Sequence, residues 1–226
     1  MKRVFISRDS SDVQALKMFC EEHQISLIAK SLLSFSAAQS PVIPDTDVIF
    51  FSSIRAAQFF LEVFQGDLRS KQLACIGQKT AEAILEKCNL KMDFIGSRAA
   101  EPKQVAIEFA VWLAGRKVLV PHSNLSQKTI VANLPIEQVE TVEVYKTLLI
   151  PTTIEPCDSY IFSSPSNVDA FFLKNTLAAK QHIIAWGETT AKSLHEKGIQ
   201  PIILKGNPDI ESIKKEVLKQ INTPSI

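Results

Sequence analysis

The residues best placed to do chemistry come in matched pairs. Ser52-Ser53 and Ser163-Ser164 each stand between an apolar run and an amphipathic stretch, in FFSSIRAAQFF and IFSSPSNVDAFF. Gly77-Gln78-Lys79-Thr80-Ala81 and Gly187-Glu188-Thr189-Thr190-Ala191 repeat a second turn. Ser163 follows Ser52 by the same interval, to within one position, as Gly187 follows Gly77. The chain therefore carries a duplicated strand–turn–helix unit, which predicts two similar lobes with a cleft between them. The chemistry on offer is anion recognition. Hydroxyls and the free N–H groups of a first helical turn converge on a carboxylate or phosphate, and glycine lets the backbone approach a ligand closely. Ser53 and Ser164 also have a plain structural role as helix caps, which Pro165 reinforces. The Gly-x-x-Thr-Ala turn has neither phosphate-loop composition nor dinucleotide-fingerprint spacing.

Tyr145, in VYKT, lies on an apolar connector. A strand tyrosine ordinarily packs, but one facing a cleft could donate a proton or hydrogen bond to a leaving group. His23, His122, His182 and His195 show no metal-ligand spacing, and only His122 sits at a strand end. Arg8, just past a strand, could pair with a carboxylate. Cys20, Cys75, Cys88 and Cys157 form no CxxC pair, so neither a disulfide framework nor a zinc site is expected. The chain shows no nucleophile elbow and no paired catalytic carboxylates.

These residues must be positioned by the elements around them. VFIS (4–7), VIFF (48–51), LACI (73–76), VLV (118–120), YIF (160–162) and IIAW (183–186) read as buried parallel strands. Between them, Leu16, Phe19 and Cys20 share a helical face, as do Ala81, Ile84 and Leu85, and Val105, Phe109 and Leu113. The alternation predicts an α/β fold with right-handed crossovers. Met1 to about Ser31 reads as strand–helix–strand, and so does Lys117 to about Val144. Each leads into an apolar connector, KSLLSF or VYKTLLI, and then into a copy of the Ser-Ser unit. Two topologies satisfy this order: tandem lobes, or a chain that leaves lobe one, builds lobe two and returns.

The 226 residues are 46% apolar and 22% charged, the make-up of an ordinary globular protein. A formal net charge of +1 excludes the global basic field of a nucleic-acid binder. No apolar run approaches the roughly 20 residues of a membrane span. MKRVFISRDSSD reads as a strand and a cap, without the apolar stretch of a signal peptide. A cytoplasmic, reduced setting is expected.

The order of the Ser-Ser turn, Gly-x-x-Thr-Ala, VLVPHSNLSQKTI, VYKT, a second Ser-Ser turn and a second Gly-x-x-Thr-Ala resembles the uroporphyrinogen-III synthase family over nearly the whole chain. The resemblance implies two flavodoxin-like α/β lobes with parallel sheets, joined by a two-stranded β-ladder linker. Lobe one would comprise 1–33 and 148–226, lobe two 38–143, and the linker strands 34–37 and 144–147. It implies closure of the linear tetrapyrrole hydroxymethylbilane to uroporphyrinogen III, without metal or cofactor. Loss of the terminal hydroxyl gives an azafulvene, and attack through a spiro-pyrrolenine inverts ring D. Tyr145 matches the family's tyrosine, Thr80 and Thr190 its threonines, and Ser53 and Ser164, beside Ser52 and Ser163, its substrate-facing serines. A monomer is expected, with no nucleic-acid or membrane partner, and hydroxymethylbilane synthase as a transient contact. Many family members carry arginines or an Arg-Gly pair after the strand at Val118–Val120, where this chain reads His122-Ser123-Asn124-Leu125-Ser126-Gln127-Lys128. Either His122 and Lys128 substitute for that cation, or hydrogen bonds from Ser123 and Asn124 suffice. A non-catalytic two-lobe binding protein for a small anion is the alternative reading.

Overall fold

Each of the buried runs becomes a strand. The computed structural model describes residues 1–99, 101–126, 128–178, 181–204 and 209–221. The chain divides into two compact units, unit 1 (Met1–Ser34 with Leu148–Ile226) and unit 2 (Phe35–Thr147). In chain order, β1 (Arg3–Ile6), α1 (Gln14–Glu22) and β2 (Ser26–Ala29) begin unit 1. β3 (Leu33–Ala37) leads into unit 2, which contains β4 (Val48–Phe51), α2 (Ile54–Val63), β5 (Gln72–Cys75), α3 (Gln78–Cys88), β6 (Phe94–Ile95), α4 (Pro102–Leu113) and β7 (Val118–Ser123). β8 (Val139–Leu149) returns the chain to unit 1, completed by β9 (Ser159–Phe162), α5 (Pro165–Phe172), β10 (His182–Ala185), α6 (Glu188–Glu196), β11 (Ile202–Ile203) and α7 (Ile210–Ile221).

Unit 1 has the sheet order β11-β10-β9-β1-β2, with neighbouring strands parallel. Unit 2 has β6-β5-β4-β7-β8, also parallel, with β3 added beyond β8. Taken from the short half, each order is the doubly wound 2-1-3-4-5 arrangement. In unit 2 the halves follow one another in the opposite chain order. The two connectors are sheet neighbours. Ala38 N–H donates to Val144 O at 2.9 Å and Ile150 N–H to Leu32 O at 2.8 Å, a register running in opposite directions along β3 and β8.

Strand periodicity places a core on each side of each sheet. In unit 1, Phe5, Tyr160 and Phe162 pack with α5 and α6, while Val4, Ile6 and Ile161 pack with α1 and α7. In unit 2, Ile49 and Phe51 pack with α2 and α3, while Val48 and Phe50 pack with α4, Ile130 and Leu134.

Two expectations are corrected. The reading of 117–144 as strand–helix–strand fails: β7 and β8 are joined through short 3-10 turns at Val131–Asn133 and Ile136–Gln138. Pro135 explains this, because proline lacks an N–H and disfavours a helical residue before it. The strand read as ending at Val120 continues to Ser123. His122 and Ser123 are thus buried strand residues rather than members of a following loop. Gln127 of that segment lies outside the described residues.

Candidate functional site

In a doubly wound sheet the connections leave the two central strands in opposite directions, opening a crevice at their carboxyl ends. In unit 2 this point lies between β4 and β7, and the sequence places Ser52 after one strand and His122 near the end of the other. Pairing between them stops at Ile49↔Leu119, although β7 runs on to Ser123. A cavity of about 280 Å³ lies here, lined by Ser52, Ile76, Val120, His122, Ser126, Lys128, Thr129, Ile130 and neighbours.

The polar residues of this cavity and of the turn beside it fall into two groups. His122 is 7% exposed and its Nδ1 lies 2.8 Å from Ser123 O. A carbonyl only accepts, so Nδ1 carries the proton, and in the neutral imidazole Nε2 is the acceptor. Lys128 holds a left-handed backbone (φ 50) and is exposed, and its ammonium has no ion-pair partner among the described residues. Ser52 is likewise exposed, with no hydrogen-bond partner among them. Asn124 differs. Its Nδ2 donates to Thr147 O at 3.3 Å and its Oδ1 accepts from Thr147 N–H at 2.7 Å, so the side chain ties the turn to β8. Ser123 contributes its carbonyl to the His122 lock and to Ser126 N–H.

The equivalent point of unit 1 is closed. Ser163 N–H donates to Ser7 Oγ at 2.8 Å, and Ser163 Oγ donates to Ser7 O at 2.8 Å. Two hydroxyls thus extend the β1–β9 ladder across the crevice. Ser7 was not legible as a site residue, since a serine ending RVFIS has no partner in the local sequence. Arg8, next along, lays its guanidinium over the Trp186 ring, 4.2 Å from the centroid. Ser53 and Ser164 cap α2 and α5, accepting from Ala56 N–H at 3.1 Å and Asn167 N–H at 3.3 Å. Ser164 also accepts from Asn167 Nδ2 at 3.0 Å.

The two glycine turns reach similar shapes for different reasons. Gly77 has an extended backbone (φ 172) open to any residue, but a Cβ there would lie 2.6 Å from Ala99 Cβ. Gly187 has open space around it and φ 103, which side chains disfavour. Thr80 is half-buried on α3, whereas Thr190 on α6 is 1% exposed.

Tyr145 owes its setting to a bulge. The β7–β8 register runs His122↔Glu143 and then Ser123↔Tyr145, skipping Val144. The extra residue breaks the alternation of β8, so Val142, Val144 and Tyr145 join one apolar cluster. The Tyr145 ring stacks on Phe59 at 5.0 Å and 12° and lies 6.2 Å from Phe35, over which Arg55 sits. The residue is 8% exposed, and its hydroxyl has no hydrogen-bond partner among the described residues.

No group of three or more His, Cys, Asp or Glu that could hold a metal occurs among the described residues. Among them, too, no helix is long and apolar enough to cross a membrane.

These features define a class: a doubly wound α/β protein of two parallel-sheet units whose strand ends carry hydroxyl-bearing turns. The family model for uroporphyrinogen-III synthase HemD matches residues 20–214, and the chain belongs to that family. No curated protein matches it significantly. Among solved structures, the uroporphyrinogen-III synthetase of Helicobacter pylori 26695 is similar at TM-score 0.71 and 19% identity, over 97% of this chain and 99% of that one. A mutant uroporphyrinogen III synthase from the extremely thermophilic bacterium Thermus thermophilus is similar at TM-score 0.64 and 15% identity, over 98% and 99%. At these identities the two structures speak for the fold, which is the two-lobed flavodoxin-like one expected.

Proposed function

We propose that this chain is a uroporphyrinogen-III synthase, closing hydroxymethylbilane to uroporphyrinogen III with loss of water and inversion of ring D. The observation that carries the reading is the unit 2 cavity, with Ser52, His122 and Lys128 at the carboxyl ends of β4 and β7, in a chain of this family. The substrate is a flexible molecule with eight carboxylates whose unaided closure gives the uninverted isomer. The catalytic task is therefore to hold it in one folded shape, which is catalysis by orientation.

Helix N-termini at the Ser-Ser and Gly-x-x-Thr-Ala turns supply N–H groups and a positive dipole end for carboxylates in both units. Lys128 supplies the cation where relatives use arginine, and Asn124 instead holds the turn. Tyr145 is the proton donor in this reading. Its phenol, without a hydrogen-bond partner among the described residues, protonates the departing hydroxyl. The C–O bond breaks to release water, the pyrrole nitrogen pair forms the exocyclic double bond, and loss of the ring N–H proton to the phenolate leaves the neutral azafulvene. The α-carbon of ring D that carries its bridge attacks the azafulvene methylene to give the spiro-pyrrolenine. The bond from that carbon to the bridge then breaks, leaving a second azafulvene on the neighbouring ring. The free α-carbon of ring D attacks it and loses its proton, so ring D is turned over.

The test is incubation of the purified protein with freshly made hydroxymethylbilane and separation of the product isomers. Isomer III forming faster than the blank closes is the expected result. Isomer I alone, at the blank rate, would reject catalysis and leave a binding protein for an anionic ligand.

A further inference from the structure

Resting on that reading, we propose that the unit 2 cavity is a single-pyrrole subsite. The ring N–H donates to His122 Nε2, and a carboxylate arm of the same ring is held by Lys128 and Ser52.

Size comes first. At about 280 Å³ the cavity lies at the small end of ligand sites, roughly 300–1,000 Å³, too small for four linked pyrroles with eight carboxylates. It takes one segment of a larger molecule. Chemistry then selects the segment. One part of the lining is apolar, with Ile76, Val120 and Ile130, and suits a flat ring. Another is the His122 imidazole, more than nine-tenths buried and locked through Nδ1, so that Nε2 offers a lone pair with no partner among the described residues. A lone pair in an apolar wall asks for a donor, and a pyrrole offers one N–H in the plane of its ring. The lining residues include no carboxylate, so Lys128 is uncompensated within the cavity and suits an anion.

The backbone of Lys128 agrees with this assignment. A left-handed conformation at a lysine is disfavoured and persists where the surroundings impose it. Here Ser126 Oγ accepts from Lys128 N–H at 3.4 Å and Lys128 O accepts from Ala132 N–H at 3.0 Å. The turn thus fixes the stem of the side chain at the cavity's edge.

Three probes test the subsite by titration of the full protein: a pyrrole carrying an acetate and a propionate arm, its N-methyl analogue, and its diester. The parent diacid is expected to bind saturably. The N-methyl analogue should bind about five-fold more weakly, the worth of one neutral hydrogen bond. His122→Leu should erase that difference. Lys128→Gln should weaken the diacid about ten-fold and leave the diester unchanged. Equal binding of the parent and N-methyl pyrroles by the native protein overturns the proposal, and it requires no variant to fold. So does the absence of saturable diacid binding, or unchanged diacid affinity in Lys128→Gln. The enzyme reading fails separately. Isomer III formed normally with no pyrrole discrimination rejects the subsite alone, whereas discrimination without isomer III rejects the enzyme alone.

Discussion

Tyr145 shows how a candidate can be read from sequence while its surroundings stay hidden. VYKT marked the tyrosine, but nothing local announced the Phe59 stack or the Phe35–Arg55 pair beside it. Tyr145→Phe keeps the ring and removes only the hydroxyl. It is expected to lower turnover about ten-fold or more, the low end of general-acid assistance, with near-ultraviolet circular dichroism unchanged. Asn124 separates binding from support. Asn124→Ala should cost about 1–3 kcal/mol by denaturant melting, because the Thr147 N–H loses its partner, while KM stays put. A large rise in KM with native stability would return Asn124 to the substrate. The Ser-Ser pairs read as equivalents, yet Ser163 is bound to Ser7 and Ser52 is unpartnered among the described residues. That difference arises from residues more than a hundred positions apart, which no local pattern contains.

Strands and helices were legible where periodicity is local. The six buried runs fall within one residue of observed strands at their starts, and α4 buries the whole face read from spacing. α1 buries Leu16 and Cys20 with Phe19 half-buried, and α3 buries Ala81 and Ile84 but leaves Leu85 exposed. Tertiary pairing decides the extension of β7 and the bulge in β8, which local periodicity does not contain, whereas the missing helix before β8 follows from a local residue, Pro135. The glycine turns give a test at this scale. Gly77→Ala and Gly187→Ala should both destabilise, by about 1 kcal/mol or more. Only the Gly77 variant should be relieved by Ala99→Gly, because only there does a Cβ meet a neighbour. Equal effects of Ala99→Gly in both backgrounds would refute the distinction.

For the whole molecule, burial sets a pH limit. Burial pushes the Cys20 and Cys157 thiols up to about 11 from 9.0, and raises Cys75 as well. The folded state thus keeps protons that the unfolded chain releases first. This contribution to stability is complete below about pH 9 and is lost as pH rises through about 11. Melting temperature should fall across that window, and less steeply in Cys20→Ala. A flat profile would count against thiol burial as the cause.

The segregation of unit 1 into two distant stretches has a temporal consequence. Unit 2 is one continuous stretch, so every partner it needs has been synthesised by Thr147. Unit 1 cannot pair β1 with β9 until Ser159 has emerged, and its first strand must wait through the making of all of unit 2. Closing so long a loop is slow. Pulse-labelled amide exchange during refolding should protect β4 and β5 before β1 and β9, and a ribosome-bound chain should expose an orphaned β1 to protease until late in translation.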